Sequence, residues 1–284
     1  MIETHRSFVN RWECDENDHL NIQFYGQRFD EAARFFRLHS GGPLLGPLPR
    51  LRLIRYHAEM SGGAMARIES AAIEGGDHDG ATLHLMRTVP GGTLAASCLD
   101  LDALNRNGGV ASIAQGDLLA SWLPRSPSFE QTEPLSFDEF AKIGGFCTGQ
   151  SLVEGRECHG DGTLTQQGYL ARYSNAAAHA WSAIGVGSTM LAERRLGRVA
   201  VEMKLTHHRP ARLGEGLIIH SGTVGSEGKT IRLRHEIRRA TDGVPIASAE
   251  VVSLLIDQER RKAVSLPDEV AARVGRPVPP EAKN

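Results

Sequence analysis

Residues 12–38 read WECDENDHLNIQFYGQRFDEAARFFRL, and two features inside them decide the fold. Asp15, Asn17, Asp18, His19 and Asn21 crowd a short polar segment. From there Ile22, Tyr25, Phe29, Ala32, Ala33 and Phe36 recur at helical spacing, which places them on one stripe of a helix running to about Leu38. Asn21 stands where a side-chain oxygen can cap the free N–H groups of that helix. Ser40-Gly41-Gly42-Pro43 ends it. The stretch predicts a polar turn mounted on the start of a buried helix.

Working outward, THRSFVNRWE (residues 4–13) reads as an edge-like strand leading into the turn. Beyond the helix the pattern changes to short alternating runs. LRLIRYHAEM, AMARIESAAIEG, TLHLMRTVP and TLAASCLDLDAL are separated by Ser61-Gly62-Gly63, Gly75-Gly76-Asp77 and Gly91-Gly92. One helix followed by several turn-linked strands predicts an α+β unit in which an antiparallel sheet covers the helix. Residues 104–147 break the rhythm with a short apolar piece, Val110 to Leu123, and then PRSPSFEQTEPLSFDEF. They read as a connecting segment with one or two short helices.

The same plan then recurs. Arg11-Trp12-Glu13-Cys14 has a partner in Gly155-Arg156-Glu157-Cys158, and the two cysteines set an offset of 144 residues. At that offset Leu20 meets Leu164, Tyr25 meets Tyr169, Phe29 meets Tyr173, and Ala32-Ala33 meet Ala176-Ala177. A second helix is expected over about Thr165–Ile184. VAVEMKLTHHRP, GEGLIIHSGTVG, KTIRLRHEIRRA and PIASAEVVSLLID follow as strands, with the offset drifting toward 150. The expected domains are residues 1–103 and 148–284, and GRPVPPEAKN reads as a frayed tail. Duplication suits a unit that would otherwise pair with a copy of itself.

The copies differ in their polar residues. Asp15, Asn17, His19 and Asn21 meet His159, Asp161, Thr163 and Thr165, and Glu31 meets Asn175. One active centre per chain is therefore expected, in the first copy. Asp15 is either a turn-former or a reactive carboxylate. His19 either holds the turn backbone or acts on a ligand. Asn21 reads first as a cap. Glu31 lies opposite the apolar stripe, near Phe24, Arg28 and Phe35, and is either a surface residue paired with Arg28 or Arg34 or a second reactive carboxylate. His159 and Asp161 read as polar turn residues, and Cys14, matched by Cys158, as packing.

Asp15-x-x-x-His19-x-Asn21, followed by Tyr25 and Phe29-Asp30-Glu31-Ala32, resembles the acyl-CoA thioesterases of the 4-hydroxybenzoyl-CoA thioesterase-like group. The wider spacing from Trp12 to Tyr25 also looks like thioesterases of carnitine and betaine metabolism. The resemblance implies a double hotdog: two long helices, each wrapped by an antiparallel β-sheet. It implies that Asp15 attacks the thioester carbon or activates water, with His19, Asn21 and Glu31 as the other catalytic candidates. Free N–H groups near Asn21, Ile22 and Gln23 would polarise the carbonyl. Ile22, Gln23, Phe24 and Tyr25 would line the substrate site, and Arg209 and Arg212 would meet CoA phosphates. Trp12, Phe24, Tyr25 and Trp181 suit an aliphatic pocket, an aromatic pocket or a cage for a quaternary ammonium. The group usually has Gly before the His, where it eases a tight turn; here Asp18 takes that place, and Asp can occupy some turn conformations through its own hydrogen bonds. Two other readings share the fold. One is a dehydratase or hydratase pairing His19 with Glu31. The other is an acyl-CoA binding protein without catalysis.

The totals agree with a globular chain and narrow its partners. Among 284 residues, 40% are hydrophobic and 23% charged, and the formal net charge is -2, so no basic field points to nucleic acid. Cys14, Cys98, Cys147 and Cys158 include no CxxC pair, and the twelve histidines form no metal-ligand run. No cofactor or metal is expected. MIETHRSF carries no signal core and no run is long enough to span a bilayer, so the expected location is the cytoplasm, with no membrane partner. Neither a phosphate-binding glycine loop nor a GxSxG nucleophile is present. The expected partner is an acyl-CoA substrate, and double-hotdog chains could assemble further into homo-oligomers.

Overall fold

A computed structural model describes residues 1–101 and 110–278. The expected tail lies partly outside these residues, from 279 onward, as does the start of the expected connecting segment. The chain divides into two compact units, Met1–Gln131 with Gly155–Leu170, and Thr132–Glu154 with Ala171–Asn284.

The first unit contains β1 (Ile2–Phe8), α1 (Ile22–His39), β2 (Leu51–Tyr56), β3 (Met65–Glu74), β4 (Thr82–Val89), β5 (Leu94–Leu101) and the short β6 (Ser112–Ala114). The main strands lie in the order β1-β3-β4-β5-β2, all pairs antiparallel, and β6 adds to β3 in parallel. β1 ends before the predicted edge strand does, because Arg11–Glu13 coil into a 3-10 turn. α1 lies against β1, β3 and β4. Phe29, Ala32 and Phe36 of its stripe are fully buried, as predicted, and Tyr25 nearly so.

Alternation along the strands sorts two faces. Leu51, Leu53, Ile73, Leu83, Leu85 and Leu99 form one core cluster, and Ile113, Leu118, Trp122 and Leu123 of the connecting segment pack against it. That segment, expected only as a link, is thus the cover of the first sheet's back face. Arg55 Nη1 ties it down by donating to the Ser121 and Leu123 carbonyls, each at 2.9 Å.

The second unit contains α2 (Phe137–Lys142), β7 (Phe146–Leu152), most of α3 (Gln166–Ala183), α4 (Ser188–Arg194), β8 (Leu196–His207), β9 (Gly216–Glu227), β10 (Thr230–Arg239), β11 (Pro245–Asp257), β12 (Lys262–Val264) and α5 (Asp268–Ala271). Its strands run in the order β8-β11-β10-β9-β7, all antiparallel, with β12 on β11. This matches the order of the first sheet, strand for strand.

Side-chain chemistry repeats as well. In the first unit Thr4 Oγ1, Ser70 Oγ and His84 Nδ1 form a buried chain at 2.7 and 2.6 Å. In the second, Thr148, Ser221 and His235 form the same chain at 3.0 and 2.6 Å. Arg28 donates to Ser7 Oγ and the Phe8 carbonyl, both at 2.9 Å, and Arg172 does the same to Ser151 and Leu152. His57 meets Ser97 and His208 meets Ser248, both at 2.9 Å. The offset is 144 through the helix and 151 through the sheet, from His84 to His235. The added residues fall between helix and sheet, where α4 has no counterpart in the first unit.

Candidate active site

The predicted turn forms at the start of α1. Glu13 anchors it from below. Burial alone would raise its carboxyl, but the Arg28 guanidinium and the Asn10 N–H outweigh this and hold it below its ordinary value. The Glu13 carbonyl accepts the Asn21 N–H at 2.9 Å. The Asp15 N–H donates to the His19 carbonyl at 2.8 Å, and Asp15 Oδ1 accepts the N–H groups of Asn17 (2.8 Å) and His19 (3.3 Å). Asp15 therefore does hold the turn, through one carboxylate oxygen. Asp18, at the place where the resembled group has Gly, adopts φ +59°, a left-handed conformation that favours glycine.

Asn21 is the N-cap, with its Oδ1 accepting the Gln23 N–H at 3.1 Å. The Asn21 and Gln23 N–H groups are thus occupied. The expectation of open donors at three positions narrows to the N–H of Ile22, which has no partner among the described residues. Phe24 is buried beneath the exposed Trp12, edge to face at 5.6 Å. Tyr25 is buried against Tyr56, edge to face at 5.1 Å, and burial pushes its phenol up. The aromatic residues near the turn thus form two packed pairs rather than one cage.

His19 finds a partner that sequence reading missed. Its Nε2 stands 3.3 Å from Glu59 Oε2, and His19 also bridges to Ser61 through the backbone. Glu59 follows β2, in the connection to β3, which meets Leu20 where the Met60 carbonyl accepts the Leu20 N–H at 2.7 Å. The signal was available in the repeat. At the sheet offset Glu59 corresponds to Pro210, so both members of the pair change between copies.

Glu31 is held elsewhere on α1. Its carboxylate meets His5 Nδ1 at 3.3 Å and accepts from Gln27 Nε2 at 3.0 Å. His19 and Glu31 thus engage different partners, and neither Arg28 nor Arg34 pairs with Glu31. Arg209 and Arg212 sit in the second unit, exposed in the turn between β8 and β9.

The second copy of the turn keeps the backbone. The His159 N–H donates to the Thr163 carbonyl at 2.8 Å, Gly162 takes the left-handed place of Asp18 at φ +78°, and the Thr165 N–H donates to the Glu157 carbonyl at 2.9 Å. Asp161 is a turn residue, as expected, accepting from the Thr163 N–H and hydroxyl. His159, the counterpart of Asp15, does more than shape its turn. Its Nε2 lies 3.2 Å from Asp30 Oδ2 of α1, and its Nδ1 lies 3.3 Å from Arg34 Nη1. A guanidinium can only donate, so Nδ1 accepts and the proton sits on Nε2, facing Asp30.

Residues 156–274 match the model of the Thioesterase-like superfamily. No curated protein matches the chain. Among solved structures, an oleoyl thioesterase (putative) from Lactobacillus plantarum superposes with a TM-score of 0.60 at 12% identity, covering 88% of this chain and 93% of its own. A 12:0-ACP thioesterase from Umbellularia californica gives 0.57 at 10%, covering 88% and 92%. An acyl-ACP thioesterase from Bacteroides thetaiotaomicron gives 0.56 at 9%, covering 88% and 96%. The resemblance to hotdog-fold thioesterases read from the first half is borne out, in sequence by the second half and in fold by structures spanning both. Among the described residues no helix is long and apolar enough to cross a membrane.

Proposed function

We propose that the chain is an acyl-CoA thioesterase of double-hotdog form, with each long helix wrapped by its sheet, and that Asp15 is its catalytic carboxylate. One observation carries the reading. Two turns of the same backbone differ in chemistry: the first holds Asp15 and a His19–Glu59 pair, and the second holds His159, Thr163 and Pro210. Conserved geometry with a changed polar set is what a single active centre in a duplicated fold requires.

Hydrolysis needs a base or nucleophile, donors for the developing oxyanion, and a route for the leaving group. In the base form, Asp15 takes a proton from water as the water oxygen bonds to the thioester carbon. The carbonyl oxygen gains charge toward the Ile22 N–H at the positive end of α1. The intermediate then collapses, the carbon–sulfur bond breaks, and the proton on Asp15 passes to the thiolate. In the nucleophile form, Asp15 bonds to the carbon first, expels the thiolate and leaves an anhydride for water to cleave. Glu59 orients the His19 ring, and His19 positions water or the carbonyl.

The three similar structures bear titles naming oleoyl, acyl-ACP and 12:0-ACP thioesterases, so the carrier is tested along with the acyl group. The experiment is a thiol-release screen over short, branched, aromatic and betainyl CoA esters and over acyl-ACP thioesters. Saturable release from a CoA ester supports the proposal. Release from ACP esters alone corrects the carrier, and enoyl-CoA formation or binding without release overturns hydrolysis. A single turnover in 18O-water then tests the nucleophile form: label in Asp15 shows an anhydride cleaved at the aspartyl carbon, whereas the base form puts all the label in the released acid.

A further inference from the structure

Beside the second half of α1 the first unit has a partly open cavity of about 20 Å³, bounded by the helix, the loop Gly46–Pro49 and sheet residues Arg52, Thr82, His84 and Asp100. Its lining is charged where the fold does not need charge. Arg52 is wholly buried and binds both Asp100 carboxylate oxygens, through Nε and Nη2, each at 2.6 Å. Arg34, Arg37 and Asp30 face it from the helix.

The second repeat serves as an internal control. At the same positions it has Met203 for Arg52, Leu233 for Thr82, Val251 for Asp100, Ser174 for Asp30, Ala178 for Arg34 and Trp181 for Arg37. Met203, Leu233, Val251 and Trp181 are all buried. One repeat thus completes this fold with apolar residues, and burying ions in the other costs free energy unless something offsets it.

The charges do not close on themselves. Asp100 is taken by Arg52, and Asp30 by His159. Arg37 makes no ion pair among the described residues, and its Nη1 is buried without a hydrogen bond. Burial pushes its guanidinium down from its ordinary value. The Thr82 hydroxyl, also on the cavity, is buried without a partner. His84 Nε2 lies 3.4 Å from Asp100 Oδ2 without hydrogen-bond alignment. Three arginines face two aspartates, and both aspartates are committed, so the surplus is one positive charge and two unused donors.

We propose that this cavity binds a small monoanion, a carboxylate of formate or acetate size, between Arg37 Nη1 and the Thr82 hydroxyl. A neutral water would satisfy the donors but leave the charge uncompensated. The site is separate from the Asp15 turn and does not rest on the thioesterase reading.

The test uses the full chain with acetate, formate, chloride and inorganic phosphate as probes, at constant ionic strength. The readouts are calorimetric binding and the thermal midpoint. Formate or acetate should bind saturably and raise the midpoint, with at least a tenfold preference over chloride. Arg37→Met, which removes the spare charge, should fold and lose that binding by tenfold or more. Thr82→Val should weaken it less. Equal effects of all anions, or no saturable effect, would overturn the site, as would unchanged binding in folded Arg37→Met. Tighter binding of phosphate than of either carboxylate would overturn the assigned ligand class.

Discussion

His19 Nε2 stands 3.3 Å from Glu59 Oε2, and the second repeat has Thr163 and Pro210 at the matching places. A carboxylate behind a histidine sets its ring orientation and favours one tautomer. Glu59→Gln retains an oxygen acceptor and loses the charge. It should lower kcat by about tenfold, and Glu59→Ala by about a hundredfold, on the scale of outer partners that orient active groups. KM should hold within about threefold. Equal losses in kcat and in folded fraction would make Glu59 merely structural.

Arg52 and Asp100 invite a double-mutant cycle. Burial alone would raise the Asp100 carboxyl, but Arg52 outweighs it and holds the group well below the usual carboxylate range. Arg52→Met strands a buried carboxylate and should cost about 3–5 kcal/mol of stability. Arg52→Met with Asp100→Val installs the second repeat's residues and should recover most of that. Denaturant unfolding reads all four corners. Additive losses would contradict the coupling.

Asp18 at φ +59° and Gly162 at φ +78° hold the same turn position. Asp18→Gly should stabilise by up to about 1 kcal/mol, because a left-handed conformation costs a side-chain-bearing residue more than glycine. Gly162→Ala should destabilise by about 1 kcal/mol. Nothing lies within 4 Å of its added Cβ, so the cost is backbone strain alone. Urea midpoints check both, and Gly162→Ala without effect would refute the strain.

His235 is fully buried, and burial pulls its imidazole down to about 3. Unfolded, it titrates near 6.5. The unfolded chain therefore binds the extra proton, so this group's contribution to stability is flat above about pH 6.5 and falls as pH drops toward 3. Between pH 7 and pH 5 the loss is roughly 2 kcal/mol. His235→Gln should be destabilised at pH 7 and show a correspondingly smaller further loss at pH 5. An unchanged difference between the two pH values in the variant would place the acid sensitivity elsewhere.

The stripe Tyr25, Phe29, Ala32 and Phe36 and the glycine-punctuated strands were legible because burial imposes its period on the sequence. Asn21 as cap was legible for the same local reason. Glu59, by contrast, reaches His19 from the connection between β2 and β3, far along the chain, and nothing near it in sequence marks it. Arg52 and Asp100 sit in runs, LRLIRY and LAASCLDL, whose apolar content hid two inward charges. The connecting segment lacked a strong period because only scattered residues, such as Ile113 and Trp122, pack on the sheet. The repeat was visible through Glu13-Cys14 and Glu157-Cys158, while the sheet offset came into register only with the Ser70–His84 and Ser221–His235 pairs.

The most direct measurement is thiol release by the Asp15→Asn variant against wild type, on the best CoA ester. Asn can still accept the Asn17 and His19 N–H groups through its amide oxygen, so the turn and the thermal midpoint should persist. The rate should fall by at least a hundredfold, with His159→Asn, on the matching turn, reducing it by less than tenfold. A folded Asp15→Asn that releases thiol at the wild-type rate would contradict the account, because the first turn would then differ from the second in sequence and not in function.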